Sequence, residues 1–220
     1  MAVVKFLQTL PFFSEFGADE LAEAATHVHE RTFYRGEVIL LEGEAPQAVY
    51  IIVRGQVRIY RLSPDGREQV LERLGPGKAF NLVPVLDGRP SPSNAMAWTA
   101  VTAYVIERGH FLQMMREYPA LAMAALTEFA TRLRHMTALV EDLSLRTVRA
   151  RLAKLLLTHA AQEKEIPRRM TLQEMAAQLG TVREVVGRAL AEMEREGLIH
   201  LERHRILIVD RDGLEAKAML

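Results

Sequence analysis

The chain has 220 residues, 49% of them hydrophobic and 25% charged, enough for one large domain or two modest ones and too apolar for intrinsic disorder. No uncharged apolar run reaches the eighteen residues a membrane-spanning helix needs, and Met1-Ala2-Val3-Val4-Lys5 lacks the pattern of a secretory signal, so a cytoplasmic location and no membrane partner are expected. The absence of cysteine excludes a disulfide framework, a thiolate nucleophile and a cysteine-ligated iron–sulfur cluster.

The 28 basic and 28 acidic residues divide unevenly: 14 against 17 over 1–145, then 14 against 11 over 146–220. A basic last third points to a polyanion partner. From Thr32 to about Val105 the pattern has period two. Val49-Tyr50-Ile51-Ile52-Val53 and Val57-Arg58-Ile59-Tyr60-Arg61-Leu62 are β-branched and aromatic runs separated by Arg54-Gly55-Gln56. Ser63-Pro64-Asp65-Gly66 is a turn signal, and glycines recur at 36, 43, 55, 66, 75 and 77. Many short strands joined by tight turns predict a closed or double-layered antiparallel roll.

After Tyr118 the period becomes helical, with Pro119 placed in the first turn, where its missing N–H costs nothing. Ala122, Leu126, Phe129, Leu133, Met136, Val140 and Leu143 follow at alternating spacings of four and three. A narrow, sustained heptad stripe predicts a dimer seam, with Leu126, Phe129, Leu133, Met136, Val140 and Leu143 as its contacts. Glu128, Arg132, Arg134, Glu141 and Asp142 flank it, expected to be solvated or to pair across the seam.

Beyond Ser144 the chain reads as short helices. Thr147 to about Glu163 carries Val148, Leu152, Leu155 and Leu156 on one face, and Ile166-Pro167-Arg168-Arg169 breaks it. Thr171-Leu172-Gln173-Glu174 and Thr181-Val182-Arg183-Glu184 both read as capping boxes, with Gly180 between them to end the first helix. Gly197 ends the second, and Leu198–Leu201 with Arg205–Val209 reads as a hairpin wing. Short helix, glycine turn, capped longer helix is the helix-turn-helix pattern. Arg183, Glu184, Gly187 and Arg188 share one face at the start of the second helix, with Val186, Leu190 and Met193 opposite. Arginine can donate twice to guanine and glutamate can accept from cytosine, so double-stranded DNA is the expected partner. Thr171, Thr181, Val182 and Val185 complete the DNA-facing set.

Thr171–Arg188, above all Val182-Arg183-Glu184-Val185-Val186-Gly187-Arg188, resembles the helix-turn-helix of the cyclic-AMP receptor protein family, which includes the fumarate–nitrate reduction regulators. Tyr34-Arg35-Gly36-Glu37-Val38-Ile39, Glu42-Gly43, Tyr50–Gly55 and Leu74-Gly75-Pro76-Gly77 match the glycine framework of that family's effector-binding roll. The resemblance implies an α+β architecture: an antiparallel, cyclic-nucleotide-binding-like β-roll over 1–118, a dimerisation helix over 119–145 and a winged helix-turn-helix over 146–220. It further implies a homodimeric transcription factor, an activator, that reads an inverted repeat resembling T-G-T-G-A through Arg183, Glu184 and Arg188 and meets RNA polymerase.

The effector side departs from the family pattern. Cyclic-AMP-binding members place Gly-Glu-Leu after the Pro-Gly turn and an Arg-Ser pair further on. This chain has Asn81-Leu82-Val83, with Leu82 in the carboxylate position, and Ser93-Asn94 near the phosphate position. Met136 and Thr137 stand where the family's adenine-binding threonine and serine fall, and Arg89 lies in the intervening loop. A buried cyclic phosphate without a charged partner is poorly compensated, so cyclic AMP is not expected to bind. A pocket of Leu82, Val83, Val85 and Met136 would either take an apolar ligand or be filled by its own side chains. Haem would need an axial ligand, with His110 and His135 as candidates. Neither cofactor nor metal is expected, and no catalytic residue: His27-Val28-His29 lacks the further ligands of a metal-binding β-barrel enzyme. The alternatives are a haem- or small-ligand-responsive member of the family, and a signalling adaptor that binds no DNA.

Overall fold

Period-two patterning folds the first half of the chain into two facing sheets. The computed structural model describes residues 2–162, 166–167, 170–202 and 205–219. It divides into one unit of Met1–Arg61 with Leu71–Arg134 and another of Leu62–Val70 with His135–Leu220.

The first part of the chain opens with α1 (Ala2–Gln8), a short 3-10 turn and α2 (Ala18–Thr26). Eight strands follow: β1 (Val28–Phe33), β2 (Val38–Leu40), β3 (Ala48–Arg54), β4 (Val57–Leu62), β5 (Glu68–Leu74), β6 (Ala79–Phe80), β7 (Asn94–Ala97) and β8 (Val101–Glu107). Helix α3 (Leu82–Asp87) interrupts them, and α4 (Arg108–Glu117) leads into the 27-residue α5 (Pro119–Leu145). The sheets run β1-β8-β3-β6 and β2-β7-β4-β5. Antiparallel pairing with register Val28↔Ile106 and Ile51↔Tyr104 fixes the first of them.

Strand β3 explains the roll's architecture. Tyr50 and Ile52 point between the sheets, where they meet Phe33, Val57, Leu74, Phe80 and Val105. Val49 and Ile51 point to the other side, where Leu7, Phe13, Leu21, Phe111 and Leu121 of the helices cover them. Both faces are buried, which is why the run Val49–Val53 is apolar throughout instead of alternating. The β3–β4 turn demands glycine at 55: φ is +90°, and a Cβ there would lie 2.1 Å from the Ala100 carbonyl oxygen.

The heptad stripe of α5 is split by its surroundings. Leu126, Leu133, Val140 and Leu143 are exposed, Leu133 to 69%. Ala122, Phe129 and Met136 are half-buried, and Phe129 packs against the core of the roll. Phe129 is therefore partly engaged by its own roll. The second exposed column is Met123, Ala130, Thr137 and Ser144, displaced by one residue. A helix that covers a sheet with one edge can offer a partner only the columns turned away from it.

The second unit contains α6 (Val148–Gln162), β9 (Ile166–Pro167), α7 (Leu172–Leu179), α8 (Arg183–Arg195), β10 (Ile199–Leu201), β11 (Arg205–Ile208) and α9 (Arg211–Ala218). The Thr147 hydroxyl accepts from the Ala150 N–H at 3.1 Å and starts α6. Leu152, Leu156, Met175, Leu179, Val186, Leu190, Met193, Ile206 and Leu214 form its core. Strands pair in the order β10-β11-β9. Arg168 and Arg169, part of the expected helix break, lie outside the described residues, as does Glu163 at the expected end of the preceding helix.

Candidate nucleic-acid interface

Helix α7 starts with the capping box its sequence encodes. The Thr171 hydroxyl accepts from the Glu174 N–H at 3.2 Å, while the Glu174 carboxylate accepts from the Thr171 N–H at 2.6 Å. Gly180 ends the helix in the left-handed region at φ +64°, and the Thr181 N–H closes back on the Ala176 carbonyl at 3.0 Å.

The second expected capping box is not made. Helix α8 begins at Arg183, so Val182 occupies the cap and no side chain satisfies the first turn. Thr181 stands one residue too early. Glu184 turns sideways instead, and its Oε1 accepts from Arg183 Nε at 2.7 Å. That hydrogen bond holds the Glu184 carboxyl below the usual carboxylate range and pushes the Arg183 guanidinium up.

Beyond this first turn α8 is sharply two-sided. Val186, Ala189, Leu190 and Met193 are buried, while Arg183, Glu184 and Arg188 are exposed and Gly187 is half-exposed between them. Val182 is exposed and Val185 half-buried. The fold thus brings Arg183, Glu184, Gly187 and Arg188 onto one solvent face, with Val182 and Val185 beside them. Thr171, exposed, and Thr181, half-exposed, bracket the preceding turn.

Two ion clusters, one of them at the end of α8, brace this unit, and sequence reading did not assign them. At the far end of α8, Glu196 pairs with Arg149 of α6 and, at 3.3 Å, with Lys217 of α9. These cations hold the Glu196 carboxyl below its ordinary range, Arg149 first. At the joint between α5 and α6, Asp142 receives Lys154 at 2.6 Å and Arg146 at 3.0 Å. The Asp142 and Leu143 carbonyls accept from Arg151 at 3.3 and 3.2 Å, and Arg146 also donates to the Ala218 carbonyl at 2.7 Å. Asp142 is thus drawn into its own chain rather than left on a solvated flank. The i,i+4 spacing of Asp142 and Arg146 was the available signal.

On the roll, the expected effector residues scatter. Leu82 is fully buried in the core with Val85, whereas Val83 is exposed. Asn94 is consumed by the fold: its Oδ1 accepts from the Glu42 N–H at 3.0 Å and its Nδ2 donates to the Tyr60 carbonyl at 3.4 Å. Ser93 is half-exposed and its carbonyl accepts from the Ser91 hydroxyl, while Arg89 lies exposed with its N–H on Asp87. Met136 is half-buried and Thr137 exposed on the second half of α5.

The charges that do converge there are others. Arg132 donates to the Ala79 carbonyl and pairs with Glu128 at 3.3 Å and Glu72 at 3.8 Å; Glu128 also meets Lys78 at 3.3 Å. Arg132 and Glu128 therefore face the roll instead of flanking a seam. Asn81 adopts φ +66° where the family pattern has glycine, and its Nδ2 donates to the Ala48 carbonyl at 2.8 Å. Asparagine is among the few non-glycine residues that tolerate this region.

Comparison with known proteins places both halves. Residues 30–118 match the cyclic nucleotide-binding domain, and residues 150–217 the Crp-like helix-turn-helix domain. A CRP-like cAMP-activated global transcriptional regulator of Mycobacterium tuberculosis is 33% identical over 84% of this chain and 86% of its own length. The cyclic AMP receptor protein of Thermus thermophilus is 30% identical over 87% of this chain and 88% of its own. Among solved structures, a CRP-family transcriptional regulator from Thermus thermophilus is 30% identical, with a TM-score of 0.68 over 86% of this chain and 97% of its own.

Proposed function

The chain belongs to the CRP/FNR family of DNA-binding transcription regulators, and from that premise we propose a homodimeric activator that reads an inverted repeat resembling T-G-T-G-A and does not require cyclic AMP. The observation that carries this reading is the exposed Arg183/Glu184/Arg188 face at the start of α8, set directly opposite a buried Val186/Leu190/Met193 side. Side chains at the start of a recognition helix reach base edges in the major groove, and two-fold protein symmetry demands a palindromic operator. The exposed Leu126, Leu133 and Val140 supply the self-complementary surface such a dimer needs. RNA polymerase is the further partner that family resemblance implies. Selection from random duplexes should return an inverted pair of half-sites about one helical turn apart. Recovery of sequences without a palindrome would remove the support for this reading.

Independence of cyclic AMP rests on the roll. Two relatives carry cyclic AMP in their names, but this chain puts a fully buried leucine at position 82, where the family pattern has a ribose-binding glutamate. Its Asn94 is occupied by backbone partners. A desolvated phosphate or ribose without a polar partner loses about 3 kcal/mol, roughly a hundredfold in affinity. Operator affinity should therefore be the same with and without millimolar cyclic AMP, and calorimetry should record no binding heat. A tenfold gain in DNA affinity on adding the nucleotide would overturn this part of the reading and leave DNA recognition standing.

A further inference from the structure

Val182 caps helix α8 with the wrong chemistry for a cap. Serine, threonine, asparagine and aspartate are favoured there because their side chains accept from the first turn, and valine accepts nothing. The same chain caps α7 with Thr171. Val182 takes the cap backbone, φ −111° and ψ 154°, without giving the helix a side-chain hydrogen bond. Nor is it committed to the core: Val182 is 39% exposed, whereas Val186 one turn on is fully buried. Val185, three residues along on the same side of the first turn, is half-buried. Together they make a small apolar step edged by Arg183, Glu184 and Arg188.

A lone exposed valine on a protein surface needs no explanation. One that displaces a capping residue and adjoins the base-reading face does, because locally costly choices concentrate where function demands them. The edges of the major groove offer one apolar group, the C5 methyl of thymine. We propose that Val182, flanked by Val185, is a specificity-determining residue that packs against the C5 methyl of one thymine in each half-site. The inference rests on α8 being the recognition helix and deepens that reading by one base. Arginine and glutamate at 183, 184 and 188 select guanine and cytosine, and the valine step adds selection for thymine.

The test uses the full-length protein and the operator obtained by random-duplex selection. Each thymine of a half-site is replaced in turn by deoxyuridine, which lacks only the methyl group, and affinity is read by fluorescence anisotropy. One position should weaken binding about fourfold, the worth of one methyl buried from water. The variant Val182→Ser should lose that sensitivity and keep the preference for guanine and cytosine at the other positions. Equal affinity for every deoxyuridine-substituted duplex would overturn the proposal. So would a Val182→Ser protein with the same deoxyuridine profile as the parent. Failure to select any duplex would overturn the recognition-helix reading itself, and this inference with it.

Discussion

Arg183 and Glu184 hold one another in the free chain, Nε to Oε1 at 2.7 Å, although both side chains are exposed on the face of α8 proposed to meet DNA. In the proposed complex, base recognition trades this ion pair for two new hydrogen-bonding sets, one on guanine and one on cytosine. Arg183→Ala should weaken operator binding about tenfold and leave the thermal midpoint unchanged, since an exposed pair adds little to stability. Glu184→Ala should instead lose selectivity while binding a scrambled duplex more tightly, because one anion has left the interface. Anisotropy titrations on operator and scrambled DNA, with a thermal melt of each variant, check both.

The two threonines that look alike in sequence should behave differently. Thr171→Ala removes a hydrogen-bonded cap and should cost about 1 kcal/mol. Thr181→Ala removes a side chain that does not cap α8 and should leave stability within about 0.5 kcal/mol of the parent. Urea unfolding of the two variants side by side measures the contrast.

The two columns of α5 should separate in the same way. Leu133→Glu places a charge on an exposed position of the proposed seam and should yield a folded monomer that has lost operator binding, seen by sedimentation at micromolar concentration. Phe129→Ala removes a ring half-buried against the roll and should cost about 2 kcal/mol of stability, roughly half the value for a fully buried phenylalanine, while the protein remains dimeric.

Glu196 links pH to the anchoring of α8. Arg149, then Lys217, hold its carboxyl below the ordinary range in the folded chain. A folded-state pKa below the unfolded one stabilises fully above the ordinary carboxylate range, and that contribution is lost as pH falls through the depressed value. Glu196→Gln should therefore melt below the parent at neutral pH, and the gap should close on acidification. Scanning calorimetry of both proteins across that range gives the answer; a gap that widens in acid would refute the assignment.

Period and punctuation made most of this fold legible. The roll, the long helix and the helix-turn-helix followed from alternation, from glycine and proline positions and from one capping box that is actually formed. The heptad pattern gave the length of α5 but not which columns face outward, because spacings of three and four also suit a helix that covers a sheet. Thr181-Val182-Arg183-Glu184 satisfied the motif for a cap and failed in register, since the N-cap backbone conformation fell on Val182. Position 82 could be aligned from the Pro-Gly turn, but the roles of Asn94 and Arg132 depend on partners 52 and 53 residues away, which local pattern does not reach.

A strand buried on both faces has no silent position. Along β3, five consecutive residues from Ala48 to Ile52 are buried, so a saturation scan should show a solid block of intolerance there. On β1 the same scan should find His29, Glu30, Arg31 and Thr32 permissive, because on that edge strand Phe33 is buried and Val28 packs against the core, while these four are exposed. Laboratory evolution of the roll is thereby steered to its rim: new surface chemistry can be written on β1 without disturbing the sheet, whereas β3 accepts only changes compensated from both sides at once.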